Sequence, residues 1–147
     1  METNEREIVL RRVYDAPRSL VWRAWTEPDQ IAAWWGPNGF VTTNHEMAVH
    51  PGGIWRFNMH GPDGTDYPNR IIYTEVSPPE RLAYDHGDDE SVHFQVVVTF
   101  VETDRKTEVT LHSTFPTPEA RAAVVGFGAI ELGQQTLARL DAHLVVM

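Results

Sequence analysis

Ala33-Trp34-Trp35-Gly36-Pro37-Asn38-Gly39-Phe40 is the stretch that decides how the rest of this chain is read. An indole is costly to leave in water, and its single N–H needs an acceptor. Adjacent indoles point to opposite sides of the element they end. One is therefore expected to plug a core and the other to cover a surface or the mouth of a cavity. Pro37 has no donor and pushes Gly36 out of helical geometry, so the element stops there. A counterpart follows at His50-Pro51-Gly52-Gly53-Ile54-Trp55-Arg56-Phe57, where a Pro-Gly-Gly turn opens a strand with aromatics at period two. Tryptophans at the end of a helix and the head of a strand predict one wide apolar interior.

Working outward, residues 6 to 14 read as a first strand. Asp15-Ala16-Pro17 ends it and starts a helix, with Asp15 near the N-terminus and Pro17 in the first turn, where a missing N–H costs least. Leu20, Val21 and Ala24 share a face of that helix, Glu27-Pro28-Asp29 breaks it, and a second short helix runs to Trp34. From Phe40 the period becomes two. Val41, Thr43, His45, Met47 and Val49 are placed on one face of a strand, and Trp55, Phe57 and Met59 on one face of the next. Gly61-Pro62-Asp63-Gly64 signals a hairpin. Residues 66 to 76 form a strand of open facing, because Ile71-Ile72-Tyr73 is apolar in both registers. Leu82 and Tyr84 share a face, as do Phe94, Val96, Val98 and Phe100, and then Val109, Leu111, Ser113 and Phe115. Beyond Pro118 the chain is helical, with Ala123, Phe127, Ile130, Leu137, Leu140 and Leu144 as its apolar stripe. The fold class is α+β: two short helices after the first strand, then an antiparallel sheet with a long C-terminal helix to cover its buried face.

The bulk numbers fit a single domain spanning residues 1 to 147, long enough to bury roughly 70% of its unfolded surface. A net charge of −9 without a basic cluster argues against nucleic-acid binding. No stretch approaches the roughly 20 apolar residues of a membrane span, and Met1-Glu2-Thr3-Asn4-Glu5-Arg6-Glu7 is too acidic for a signal peptide. The absence of cysteine removes disulfides, thiol nucleophiles and thiolate metal sites. A cytoplasmic location is expected.

Asp15-Ala16-Pro17…Val21-Trp22, Trp34-Trp35-Gly36-Pro37, Pro51-Gly52-Gly53-Ile54-Trp55-Arg56-Phe57, Gly61-Pro62-Asp63-Gly64, Pro79-Glu80-Arg81-Leu82 and Gln135-Thr136-Leu137-Ala138-Arg139-Leu140 occur in this order along nearly the whole chain. Together they resemble the START-like helix-grip superfamily (the SRPBCC, Bet v-like fold), and within it the heat-shock-protein-90 ATPase activator family in its small bacterial form. The resemblance implies a curved antiparallel sheet wrapped around the C-terminal helix, with a cavity between them. It is a resemblance of scaffold more than of chemistry, and it brings no common catalytic set.

On this layout the candidate ligand-binding residues are Trp35, His45, Met47, Trp55, Phe57, Met59, Tyr84, Phe94, Val96, Phe127, Ile130 and Gln134. Each aromatic on the inner face reads first as plain core. Gly126, Gly128 and Gly133 favour a cavity, since an interior helical glycine costs roughly 1 kcal/mol unless something approaches closely; the alternative is a helix that kinks or begins only after Gly128. Gln134 lies on the apolar stripe, paired to the sheet or aimed into a pocket. His45 is a core histidine, a ligand contact or a base. Tyr84 and Ser113 offer hydroxyls without a nucleophile elbow. Asp85, His86, Asp88, Asp89, Glu90 and His93 match neither zinc nor calcium spacing and read as a solvated hairpin loop. No metal and no cofactor is expected.

Three functions stay open. The first is binding of a small, mostly apolar molecule, lipid-like or polyketide-like. The second is a cyclase or dehydratase acting on a carbonyl compound through His45, Tyr84 or Gln134. The third is an interaction module with a protein partner, chaperone stimulation being the family precedent, or with a second copy as a homodimer.

Overall fold

A computed structural model describes residues 5–147; the first four residues of the acidic opening lie outside it. The elements are β1 (Glu7–Tyr14), α1 (Arg18–Thr26), α2 (Pro28–Trp34), β2 (Val41–Met47), β3 (Ile54–His60), β4 (Asp66–Ser77), β5 (Arg81–Gly87), β6 (Val92–Thr103), β7 (Lys106–Thr114), α3 (Pro118–Gly126) and α4 (Ala129–Val146). The strands form one antiparallel sheet in the order β1-β7-β6-β5-β4-β3-β2. This is the helix-grip arrangement, a curved sheet closed by a C-terminal helix.

The inner face follows the clean alternations. Val96, Val98 and Phe100 on β6 and Val109 and Ser113 on β7 are buried. They continue into Leu82 and Tyr84 on β5, and into Ile8 and Leu10 on β1. On β4, Ile71 and Tyr73 turn inward, and a bulge between Tyr73 and Glu75 resets the register. The segment looked apolar on both faces because half-buried Ile72 stands on the other face between Ile71 and Tyr73.

Two expectations fail for the same kind of reason. On β2 the buried residue is Thr42, whose hydroxyl donates to the Trp35 carbonyl at 2.8 Å, while Val41, Thr43 and His45 are exposed. A bulge between Asn44 and Glu46 then returns Met47 to the inner side opposite Trp55. The C-terminal helix is likewise not continuous. Gly128 adopts the left-handed φ of 85° that glycine accepts at no steric cost, so α3 ends and α4 restarts with a new phase. Phe127 is consequently 85% exposed and Ile130 39% exposed, whereas Leu137, Leu140 and Leu144 are buried.

α1 starts later than the sequence suggested. Pro17 is its N-cap rather than part of its first turn, and the free Arg18 N–H is taken by Glu102 of β6 at 2.7 Å, not by Asp15. α3 has a side-chain cap, Thr117 accepting from the Ala120 N–H at 3.0 Å, followed by Pro118.

The Trp-Trp-Gly-Pro turn is fastened to α4. Arg139 Nη1 donates toward the carbonyls of Gly36, Pro37 and Phe40 at 2.8, 3.0 and 3.2 Å. Gln135 accepts the Asn38 N–H at 3.2 Å, and His143 meets Gln30 of α2 at 2.7 Å. On the opposite flank the Tyr14 hydroxyl donates to the Leu137 carbonyl at 2.8 Å, and Arg12 pairs with Asp141. Arg139→Met is expected to lower stability by about 2 kcal/mol, since it removes charge-assisted hydrogen bonds to part-buried carbonyls; denaturant melts should show Arg139→Lys recovering part of the loss. Phe57→Ala, at a site with no exposure, should cost about 3–5 kcal/mol. Met59→Ala, half-buried, should cost clearly less in the same melts.

Candidate functional site

Five indole and phenyl rings fill one half of the interior. Trp25 meets Trp34, Trp35 and Phe100 edge-on at centroid distances of 5.0, 5.5 and 6.0 Å, and Trp35 meets Trp55 at 5.2 Å. Trp34 is the core plug that the sequence led us to expect, its N–H donating to the Ala24 carbonyl at 3.0 Å. Trp35 ends α2 and forms a wall. Beyond it the space between sheet and helix is open, a cavity of about 250 Å³.

The sheet side of this cavity is built in rows. Tyr84, Val96, Ser113 and Ile8 stand opposite one another across β5, β6, β7 and β1. In the neighbouring row His86 lies 4.8 Å from Phe94, and Phe94 lies 5.0 Å from Phe115, between ring centroids. Leu10, Leu111 and Met59 complete the sheet side, and Trp25, Trp35 and Gly36 one end. The helix side is Val124 of α3 with Ala129, Gly133, Thr136 and Leu137 of α4. α4 runs close to β1 at Gly133, where a Cβ would sit 2.6 Å from Leu10 Cδ1 and displace that side-chain end.

Of the residues expected here, Trp35, Met59, Tyr84, Phe94 and Val96 line the cavity together. Trp55 and Phe57 do not; stacked at 4.1 Å, they are core behind it. Met47 and His45 belong to a separate shallow depression with Pro28, Asp29 and Asn44. His45 is exposed because it sits at the β2 bulge. Phe127, Ile130 and Gln134 are exposed because α4 restarts its phase after Gly128, which turns the Ala129, Gly133 and Thr136 face inward instead.

The residue missed is His86. Its acidic neighbours suggested a solvated loop, yet it continues the Leu82–Tyr84 alternation, and that alternation was the available signal. Asn69 donates its Nδ2–H to the Tyr67 carbonyl at 2.9 Å, which turns Oδ1 toward His86 Nε2, also at 2.9 Å. An amide oxygen only accepts, so the imidazole carries its proton on Nε2. Nδ1 is left as an acceptor with no protein partner among the described residues. Burial, and secondarily the nearby His93, push the His86 pKa down to about 4. Burial likewise raises the Tyr84 hydroxyl well above the usual tyrosine range. The cavity thus holds a neutral imidazole and a neutral phenol at ordinary pH. Of the loop carboxylates, Asp88 is engaged by the Glu90 and Ser91 N–H groups, and Asp89 pairs with Arg56.

Thr43, His60 and Asp66 form a hydroxyl–imidazole–carboxylate relay at 2.9 and 2.7 Å, but all three lie in solvent-accessible positions at the edge of the sheet. They act as a cross-strand brace between β2, β3 and β4.

Residues 15–145 match the family described as activator of Hsp90 ATPase homolog 1-like protein. The chain belongs to this family. Its fold recurs in a solution structure from Arthrobacter aurescens, with a TM-score of 0.91 at 24% identity over 99% of this chain and 91% of the other. A Nitrosomonas europaea crystal structure is similar at a TM-score of 0.89 and 26% identity, covering 97% and 96% of the two chains. A Mycobacterium smegmatis protein gives a TM-score of 0.84 at 27% identity, covering 94% and 90%. No curated protein matches by sequence. Among the described residues, no helix is long and apolar enough to cross a membrane.

A buried neutral histidine makes stability depend on pH. The unfolded chain takes up a proton near pH 6.5 and the folded one only near pH 4. His86 therefore contributes its full stabilisation above pH 6.5, and this is lost as pH falls toward 4. The loss attributable to this residue is at most about 3 kcal/mol. Urea midpoints of the wild type and His86→Phe, compared at neutral and mildly acidic pH, should show a smaller acid loss in the variant.

Proposed function

We propose that the protein binds a small, mostly apolar molecule in the cavity between the sheet and α4. The carrying observation is the character of the lining. Its side chains include no Asp, Glu, Lys or Arg, and its few polar groups, Tyr84, His86, Ser113, Thr136 and the unpartnered Trp25 indole N–H, are spread over an otherwise apolar surface. Ligand sites for uncharged organic molecules combine these features: a concave apolar wall and a few fixed polar groups that set orientation. The candidate binding residues are Trp35, Met59, Tyr84, Phe94 and Val96, joined by His86 and Ser113. Of the three residues offered for a cyclase or dehydratase, His45 and Gln134 are exposed outside this cavity, and Tyr84 alone lines it.

The test is a titration with N-phenyl-1-naphthylamine, a neutral dye whose emission rises in apolar surroundings. Saturable one-to-one binding to the native protein is expected. Ser113→Phe, which points a ring into the space, should weaken it at least tenfold with the fold retained by circular dichroism. His45→Ala and Gln134→Ala should leave it unchanged. Affinity indifferent to Ser113→Phe would remove the cavity as the binding site.

A further inference from the structure

The polar pattern of the cavity narrows the chemistry of what it accepts, an inference that rests on the binding reading above. The acceptor is one-sided. Because Asn69 fixes the His86 proton on Nε2, the unpartnered Nδ1 only accepts, and a ligand satisfies it only by bringing an O–H or N–H. The surroundings are aromatic. His86 sits in a run of rings from Phe57 at 6.2 Å to Phe94 at 4.8 Å, with Phe115 a further 5.0 Å from Phe94. Such a wall offers ring faces and edges to another flat ring. No cation lines the space. Arg139 lies behind Gly36 with Nη1 committed to three carbonyls. A carboxylate entering here would meet hydroxyls and the unpartnered Trp25 indole N–H but no cation, and a buried charge without a counter-charge is heavily penalised.

We propose that the cavity selects a neutral, hydroxyl-bearing aromatic compound, of the phenol or naphthol class, whose O–H donates to His86 Nδ1, and that it rejects the matching carboxylate. The hydroxyls of Tyr84 and Ser113, which have no protein partner among the described residues, stand in the next row to serve a second polar group of the ligand. Thr136 is less available as a donor, since its hydroxyl already donates to the Leu132 carbonyl at 3.1 Å.

Isothermal titration of the intact protein near neutral pH with 2-naphthol, 2-methoxynaphthalene and 2-naphthoate tests this. The three share one ring system and differ in donor and charge. Naphthol should bind about three- to tenfold tighter than its methyl ether, the range of one net hydrogen bond, and naphthoate should bind weakest. His86→Phe should bind naphthol and ether alike. Imidazole nitrogen NMR of the wild type provides a readout independent of any variant: His86 should show the Nε2–H tautomer, and naphthol should shift its Nδ1 resonance. Equal affinity for naphthol and ether, an unmoved Nδ1, or tightest binding of naphthoate each overturns the inference while leaving the cavity a binding site. Failure of both neutral compounds to bind overturns the binding reading along with it.

Discussion

The indole wedge around Trp35 is the constraint on which the rest of the architecture depends. A strongly curved seven-stranded sheet has more inner face than α4 can cover. The deficit is met at one end by α1 and α2, which deliver Trp25, Trp34 and Trp35 against Trp55 and Phe100. Edge-on contacts among rings hold such a cluster in one arrangement, because each ring's position is fixed by its neighbours. Arg139 and Gln135 then tie the turn after Trp35 to α4. At the other end no comparable ring cluster descends from the helices. Trp35 is therefore both the last residue of the packed core and the first wall of the open space.

The helix side of that space is shaped by two glycines with different duties. Gly128 lets the chain break direction between α3 and α4, and Gly133 lets α4 approach β1 to the distance at which a methyl would strike Leu10. Gly133 and Leu137 both line the cavity on its helix side. The break at Gly128 leaves α3 without a single buried residue, held by its Thr117 cap and by Arg121 donating to the Glu7 carbonyl at 2.7 Å. The cavity is thus bounded by a rigid hydrogen-bonded sheet on one side and by its most lightly packed helix near Val124.

Much of this was legible before any coordinates. The strands with one wet face, β6 and β7, announce themselves by strict alternation, and the Trp-Trp-Gly-Pro turn with its later Pro-Gly-Gly partner points to the right scaffold. Legibility ended wherever a single residue shifts the phase. The β2 bulge moved His45 outward and Thr42 inward, because a strand's side chains swap faces with every added residue. Gly128 did the same to the helical stripe, so Leu137 and Leu140 remained correct while Phe127, Ile130 and Gln134 did not. His86 was obscured differently. Its charged neighbours resemble a loop, which masked the Leu82–Tyr84–His86 alternation that the pairing of β5 with β6 bears out.

The energetics of the open space bear on why it exists. Cavities in cores cost about 24 cal/mol per Å³ when nothing compensates. For about 250 Å³ that amounts to roughly 6 kcal/mol as an upper bound, since water in an open cavity recovers part of it. Domains of this kind are stable by only about 5–15 kcal/mol in total. Larger side chains at Ser113 or Ala129 would reduce the space, and a core shaped by packing alone would have them. The small residues at these two positions, with a neutral histidine fixed by Asn69 in the same lining, are the arrangement expected when the missing volume is to be supplied from outside the chain.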